Sequence, residues 1–117
     1  MSRGGTAFHN GMAAEDVAER AYILCGGKVL ARRWKVAEGE IDLIVELDGV
    51  IVFAEVKARK TLALAMTALQ PKQQARIIAC AEQYLGAHAD LNANCRFDLV
   101  AVDGVGRFEI LENVLQG

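Results

Sequence analysis

No stretch of this 117-residue chain approaches the run of about 18 apolar residues needed to cross a bilayer. The segment Met1 to Asn10 lacks the apolar core of a secretory signal. A cytoplasmic location without membrane contact is the expectation. Cysteine is sparse. Cys25, Cys80 and Cys95 are odd in number, far apart and set among apolar residues, which argues against a disulfide framework or a structural zinc site and predicts reduced core thiols. Positive charge shows no excess, with 13 Lys and Arg against 15 Asp and Glu for a net charge of −2, so composition as a whole argues against a general nucleic-acid binder. His9 and His88 are expected in flexible or terminal regions and are given no ligand role. No P-loop, dinucleotide-binding glycine pattern, Ser/His/Asp arrangement, internal repeat or low-complexity tract is visible.

Apolar material is abundant, at 53% of the chain with positive mean hydropathy. A chain of this length forms one domain with a sizeable core. Residues 1–12 read as a Gly-rich arm and 13–117 as a single domain. From Ala13 to Cys25 the residues Ala14, Val17, Ala18, Ala21, Leu24 and Cys25 recur at helical spacing, and Gly26 and Gly27 stop the helix. Lys28 to Val36, Glu40 to Leu47 and Val50 to Arg59 read as strands, with Asp48 and Gly49 as the hairpin turn between the last two. Thr61 to Gln70 has no clear period and reads as a loop with a helical turn. Pro71, the only proline, opens a second long helix that Gly86 is expected to end. Cys95 to Val102 is a fourth strand and Arg107 to Glu112 a weaker fifth. The order αβββαβ, with a possible extra C-terminal strand, predicts an α/β fold in which a mixed β-sheet is flanked by helices. The near-continuous apolar runs Ile51 to Val56 and Leu99 to Val102 predict central strands covered on both faces.

Charge inside those strands is the informative anomaly. Burying an ionised carboxylate costs several kcal/mol unless a cation compensates it. Glu55 and Lys57 are two apart on a strand and share a face. Asp42 lies on the strand joined to theirs by the hairpin, and antiparallel pairing brings it near their level. Two carboxylates and an ammonium therefore converge at one sheet surface. Such oxygen ligands suit Mg²⁺ or Mn²⁺, and the lysine can orient water and stabilise charge developing on phosphorus. On these three residues alone, a structural ion pair of Lys57 with Asp42 or Glu55 is the favoured reading.

Other charges are less specific. Between positions 28 and 76 nine basic residues face six acidic ones. Arg32, Arg33 and Lys35 interleave with Trp34, a pattern usable for nucleic-acid backbone contact and stacking, although Trp34 reads first as a buried strand residue. Gln73 and Lys72 fall in the first turn of the second long helix, where a phosphate could be received or where they simply cap and solvate it. Glu15 sits at the edge of the first helix's apolar stripe, placed equally well to reach the end of the sheet or to complement the helix dipole. Arg96 and Asp98 read as a structural pair.

The segments GEIDLI and VFAEVKAR, with LARRW before them and QPKQQ and RFDLV after them, resemble the YraN-like family of small bacterial predicted endonucleases. That family falls within the PD-(D/E)XK nuclease superfamily, which includes archaeal Holliday junction resolvases. The resemblance covers nearly the whole chain. It implies a restriction-endonuclease-like core, with Asp42 and Glu55 as the paired carboxylates, Lys57 as the lysine of the E-x-K element and Glu15 as a further acidic residue. It also implies a metal set of Asp42, Glu55 and Val56, a Mg²⁺ or Mn²⁺ cofactor, and DNA contact through Arg32, Arg33, Lys35, Arg59, Lys72 and Gln73. Arg33 stands where the family commonly carries Asn, and Ile41 stands where the superfamily motif has Pro. The activity implied is metal-dependent endonucleolytic hydrolysis of DNA, on branched or structured substrates among others. The competing class is a nucleic-acid-binding or assembly module on a nuclease fold without turnover. A homodimer is a weaker expectation, resting on the apolar segment Phe108 to Leu115, which could equally close the domain's own core.

Overall fold

The computed structural model describes residues 11–88 and 93–115. Residues 1–10 of the expected arm, with His9, and part of the polar connection after the second long helix lie outside the described residues. The elements are α1 (Gly11–Leu24), β1 (Lys28–Val36), β2 (Gly39–Leu47), β3 (Val50–Ala58), α2 (Leu62–Met66), α3 (Pro71–His88), β4 (Cys95–Val102) and β5 (Phe108–Leu111). The five strands form one mixed sheet in sequence order, antiparallel except for the parallel pair β3–β4. A parallel pair needs a crossover, and α2 and α3 supply it. This is the expected α/β arrangement, compatible with a restriction-endonuclease-like core.

Each long helix covers one face. Ala14, Ala18 and Tyr22 of α1 pack on Leu43, Val45, Val52, Ala54, Val100 and Val102. On the other face Cys80, Ala81, Tyr84 and Leu85 of α3 pack on Ile41, Ile44, Ile51 and Phe53. β3 and β4 thus contribute to buried clusters as the central strands should.

Local chemistry sets the boundaries. α1 begins at Gly11, two residues before the expected start, and ends where Gly26 takes φ +93° and the Gly27 N–H donates to the Tyr22 carbonyl at 2.9 Å. Asp48 and Gly49 both take positive φ, the conformation a two-residue hairpin turn requires. Thr61 caps α2, its hydroxyl accepting the Leu64 N–H at 3.2 Å. α3 does not stop at Gly86 as expected. It continues to His88, whose ring stacks on Tyr84 one turn back with centroids 4.7 Å apart and so holds the last turn.

Three further expectations meet detail. Cys80 is buried, but Cys25 and Cys95 are exposed, because they lie just beyond α1 and at the first residue of β4 and not within the packed stripes. Trp34 is half-buried and meets Tyr84 edge-on at 5.3 Å. In the C-terminal segment Ile110 packs on the α1-side core and Leu115 is buried, so much of its apolar surface closes the chain's own core, with Phe108 left exposed. No helix among the described residues is long and apolar enough to cross a membrane.

Candidate active site

The regular β2–β3 ladder stops at the pair Leu43 and Ala54. Below it the strands are joined by side chains. The Val56 N–H donates to Asp42 Oδ2 at 2.8 Å, and the Asp42 N–H donates to Glu55 Oε1 at 3.3 Å. The cause is a break in side-chain alternation. Ile41 belongs to the α3-side core and Leu43 to the α1-side core, although residues two apart on a regular strand share a face. On the facing strand Arg32 pairs with Leu43 and Trp34 with Ile41, and the residue between them, Arg33, takes φ +49°. Both strands therefore twist at one level. The twist brings the Asp42 carboxylate toward β3, where a ladder rung would otherwise run.

Asp42, Glu55, Val56 and Lys57 line one cleft of about 320 Å³ with Glu15 from α1, Gly39 and Glu40 from β2, and Gln73, Arg76 and Ile77 from α3. The structure thus brings together Asp42, Glu55, Val56, Lys57, Glu15 and Gln73 from the sequence-derived set. A strand residue's N–H and C=O point to the same side, so Val56 presents its carbonyl toward the gap that its N–H spans. Arg59 and Lys72 are exposed and do not line the cleft. Arg32 pairs with Glu19, Arg33 Nε meets Glu15 Oε1 at 2.8 Å, and Lys35 Nζ lies 3.7 Å from Glu40 Oε1. Three of the four basic residues of β1 are therefore engaged with carboxylates of α1 and β2.

Two cleft residues escaped sequence reasoning. Glu40 reads from the sequence as the first residue of a strand, and Arg76 carries no role there beyond its place in the second long helix. The available signal for Arg76 was its place three residues after Gln73, which puts both on one helix face.

Electrostatics single out the carboxylate pair. Burial, then the charge of Asp42, push Glu55 up to about 8, with Lys57 opposing. Burial likewise raises Asp42, against the lowering effect of its hydrogen bond from Val56, and the charges of Glu15 and Glu40 raise it further. A half-buried and a buried acid sharing one cleft disfavour joint ionisation and gain from a cation between them. Lys57 makes no ion pair within 4 Å among the described residues, so the expectation of a plain structural pair is not met. Arg96 and Asp98 do pair, at 3.1 Å, and Asp98 also accepts from the Tyr22 hydroxyl at 2.8 Å and the Asn113 N–H at 3.0 Å.

The donor set fits a hard divalent cation. Among the described residues no three His, Cys, Asp or Glu side chains gather as a metal cage. Mg²⁺ and Mn²⁺ take one or two carboxylates and leave other positions for water and substrate oxygen. Asp42 and Glu55, with the Val56 carbonyl, match that requirement.

The model of the uncharacterised protein family UPF0102 matches residues 14–102. This chain belongs to the UPF0102 family. The match is the YraN-like resemblance seen in the sequence, and residues 14–102 include every cleft residue named above. A UPF0102 protein of Granulibacter bethesdensis is 41% identical over 90% of this chain and 67% of its own length. One from Dinoroseobacter shibae is 42% identical over 97% of this chain and 86% of its own, and one from Azorhizobium caulinodans is 39% identical over 97% and 88%. UPF0102 membership accordingly extends over nearly the whole chain.

Proposed function

We propose that this UPF0102 protein is a metal-dependent DNA endonuclease that hydrolyses phosphodiester bonds, with branched or structured DNA among its substrates. The observation that carries this reading is the convergence of two mutually repelling carboxylates, half-buried Asp42 and buried Glu55, in one open cleft with Lys57, which has no ion-pair partner among the described residues. A fold does not keep such a cluster for stability, because each buried acid costs free energy that an apolar residue would not.

The roles follow from chemistry. Asp42, Glu55 and the Val56 carbonyl would hold a divalent cation, which when bound would supply Lewis-acid polarisation of the phosphodiester and lower the pKa of a bound water. The Val56 N–H holds one oxygen of Asp42, which fixes that carboxylate's orientation before any ligand arrives. Lys57, on the face it shares with Glu55, orients the attacking water and stabilises negative charge as it builds on the phosphoryl oxygens. Glu15, held by Arg33, keeps a further acid at the edge of the cleft. Arg59, Lys72 and Gln73 are placed around the start of α3 and the end of β3 for contact with the sugar-phosphate backbone, which needs no base reading.

Purified protein with Mg²⁺ or Mn²⁺, tested against linear, nicked, flapped and four-way DNA beside an Asp42→Asn control, checks the reading. Cleavage of at least one shape by the parent and none by the variant is expected. Binding without cleavage of any shape would favour the non-catalytic DNA-binding module.

A further inference from the structure

The cleft's described lining holds four carboxylates, Glu15, Glu40, Asp42 and Glu55, but only two cations, Lys57 and Arg76. A phosphodiester is itself an anion, so something must admit it. Arg33 and Lys35 of β1 do not, because they sit as counter-ions on Glu15 and Glu40. With those two rim acids balanced, Asp42 and Glu55 share the cleft with the two remaining cations, Lys57 and Arg76. Neither Lys57 nor Arg76 has a carboxylate within 4 Å among the described residues.

The stem of Arg76 lies against β2. A methyl group at Gly39 would lie 3.7 Å from Arg76 Cδ and 3.8 Å from its Cβ, so the arginine stem runs along the first residue of β2 over a position without a side chain. On α3, Gln73, Arg76, Ile77 and Cys80 recur at helical spacing. Ile77 and Cys80 are buried beneath, while Arg76 is exposed at the margin, in the wall of the cleft. Lys57 rises from β3 and Arg76 comes from α3, so the cations flank the cleft from two separate elements.

We propose that Arg76 is the phosphate-holding residue of this cleft, its guanidinium gripping the non-bridging oxygens of a nucleic-acid phosphodiester beside Asp42 and Glu55. The division of labour follows from the two side chains. A guanidinium is a planar fork that takes two oxygens at once, whereas an ammonium is a compact charge that follows the attacking water. The assignment rests on the nuclease reading and selects, within the basic window, a residue of α3 and not those of β1 as the chief phosphate contact.

The test measures binding of labelled duplex and four-way DNA in Ca²⁺, across a salt series, together with cleavage in Mg²⁺ or Mn²⁺. Parent, Arg76→Ala, Arg76→Lys and the equally charge-reducing surface variant Lys28→Ala are compared, each with a thermal melt. Arg76→Ala should weaken binding about tenfold or more at low salt, make the log–log salt slope shallower by roughly one unit, and melt like the parent. Arg76→Lys should keep the parent's slope yet recover only part of the cleavage rate, and Lys28→Ala should cleave like the parent. A parent that binds and cleaves, beside an Arg76→Ala variant with the same slope and rate, overturns the assignment and leaves the nuclease reading standing. A parent that neither binds nor cleaves any DNA overturns both.

Discussion

The backbone N–H of Asp42 donates to the Glu55 carboxylate at 3.3 Å, while the Asp42 carboxylate accepts from Val56, the residue after Glu55, at 2.8 Å. Two acids that repel each other are therefore fixed by each other's strands. The arrangement replaces ladder bonds with carboxylates at the level where β2 loses its alternation, and it orients both acids before a ligand is present.

Neutralising one acid should relieve the repulsion. Asp42→Asn retains an oxygen to accept the Val56 N–H, so the metal-free variant is expected to melt at or up to a few degrees above the parent, since about 1 kcal/mol corresponds to about 4 °C or more at this size. Scanning calorimetry in EDTA checks it. A melt far below the parent would mean that the charge at Asp42 is a stabilising ion-pair partner.

Glu55 gives the metal-free protein a defined pH dependence. Its value is raised from 4.5 to about 8 in the folded chain, so between those limits the folded state holds a proton that the unfolded state has released. Unfolding free energy therefore falls as pH rises through this window and levels off above it. Melting temperature in EDTA should decline from pH 5 to pH 8.5, and Glu55→Gln, which cannot ionise, should flatten most of that decline. Equal slopes in parent and variant would show that Glu55 ionises normally in the folded state.

How much of this was legible in the sequence depends on which force fixed each part. The strands, the Asp48–Gly49 turn and the two-sided burial of β3 follow from periodicity and turn chemistry, and the structure reproduces them to within a residue or two. That Glu55 and Lys57 share a face follows from the pleat alone. The level of Asp42 followed from the hairpin, but its turn toward β3 did not, because that depends on Arg33 taking a left-handed conformation that no propensity assigns to arginine. The pairing of Arg33 and Arg32 with Glu15 and Glu19 was equally hidden, since it arises only when α1 is laid across the sheet, whereas Lys35 and Glu40 are cross-strand neighbours of β1 and β2. The continuation of α3 past Gly86 depended on the Tyr84–His88 stack, which outweighs a single exposed glycine.

Arg33 combines that left-handed backbone, φ +49°, with the Glu15 ion pair. Asn is at ease in the conformation but cannot reach as an ion-pair partner. Arg33→Asn should therefore change stability by no more than about 0.5 kcal/mol, because an exposed pair contributes little. Arg33→Val, β-branched and strained there, should cost about 1–2 kcal/mol. Urea denaturation separates the two, and equal losses would point to the ion pair as the dominant contribution.

Asp98 is the structural counterpart of the cleft acids, fully buried yet satisfied by Arg96, Tyr22 and the Asn113 N–H. Removing it strands all three donors and loosens the C-terminal segment. Asp98→Ala should cost about 3 kcal/mol, and Tyr22→Phe, which leaves Arg96 in place, about 1 kcal/mol. Equilibrium unfolding of both variants provides the comparison, and a smaller loss for Asp98→Ala than for Tyr22→Phe would contradict this account of the network.

The most direct test of the central claim is single-turnover cleavage of the susceptible DNA in Mn²⁺ by parent, Asp42→Asn and Lys57→Ala, with Mn²⁺ affinity measured calorimetrically on the same preparations. Asp42→Asn should lose both metal affinity and cleavage. Lys57→Ala should bind Mn²⁺ like the parent yet cleave about 10² or more times slower, as expected for loss of a charge-stabilising donor. Cleavage at the parental rate by either variant would contradict the assignment of this cleft as the site of the reaction.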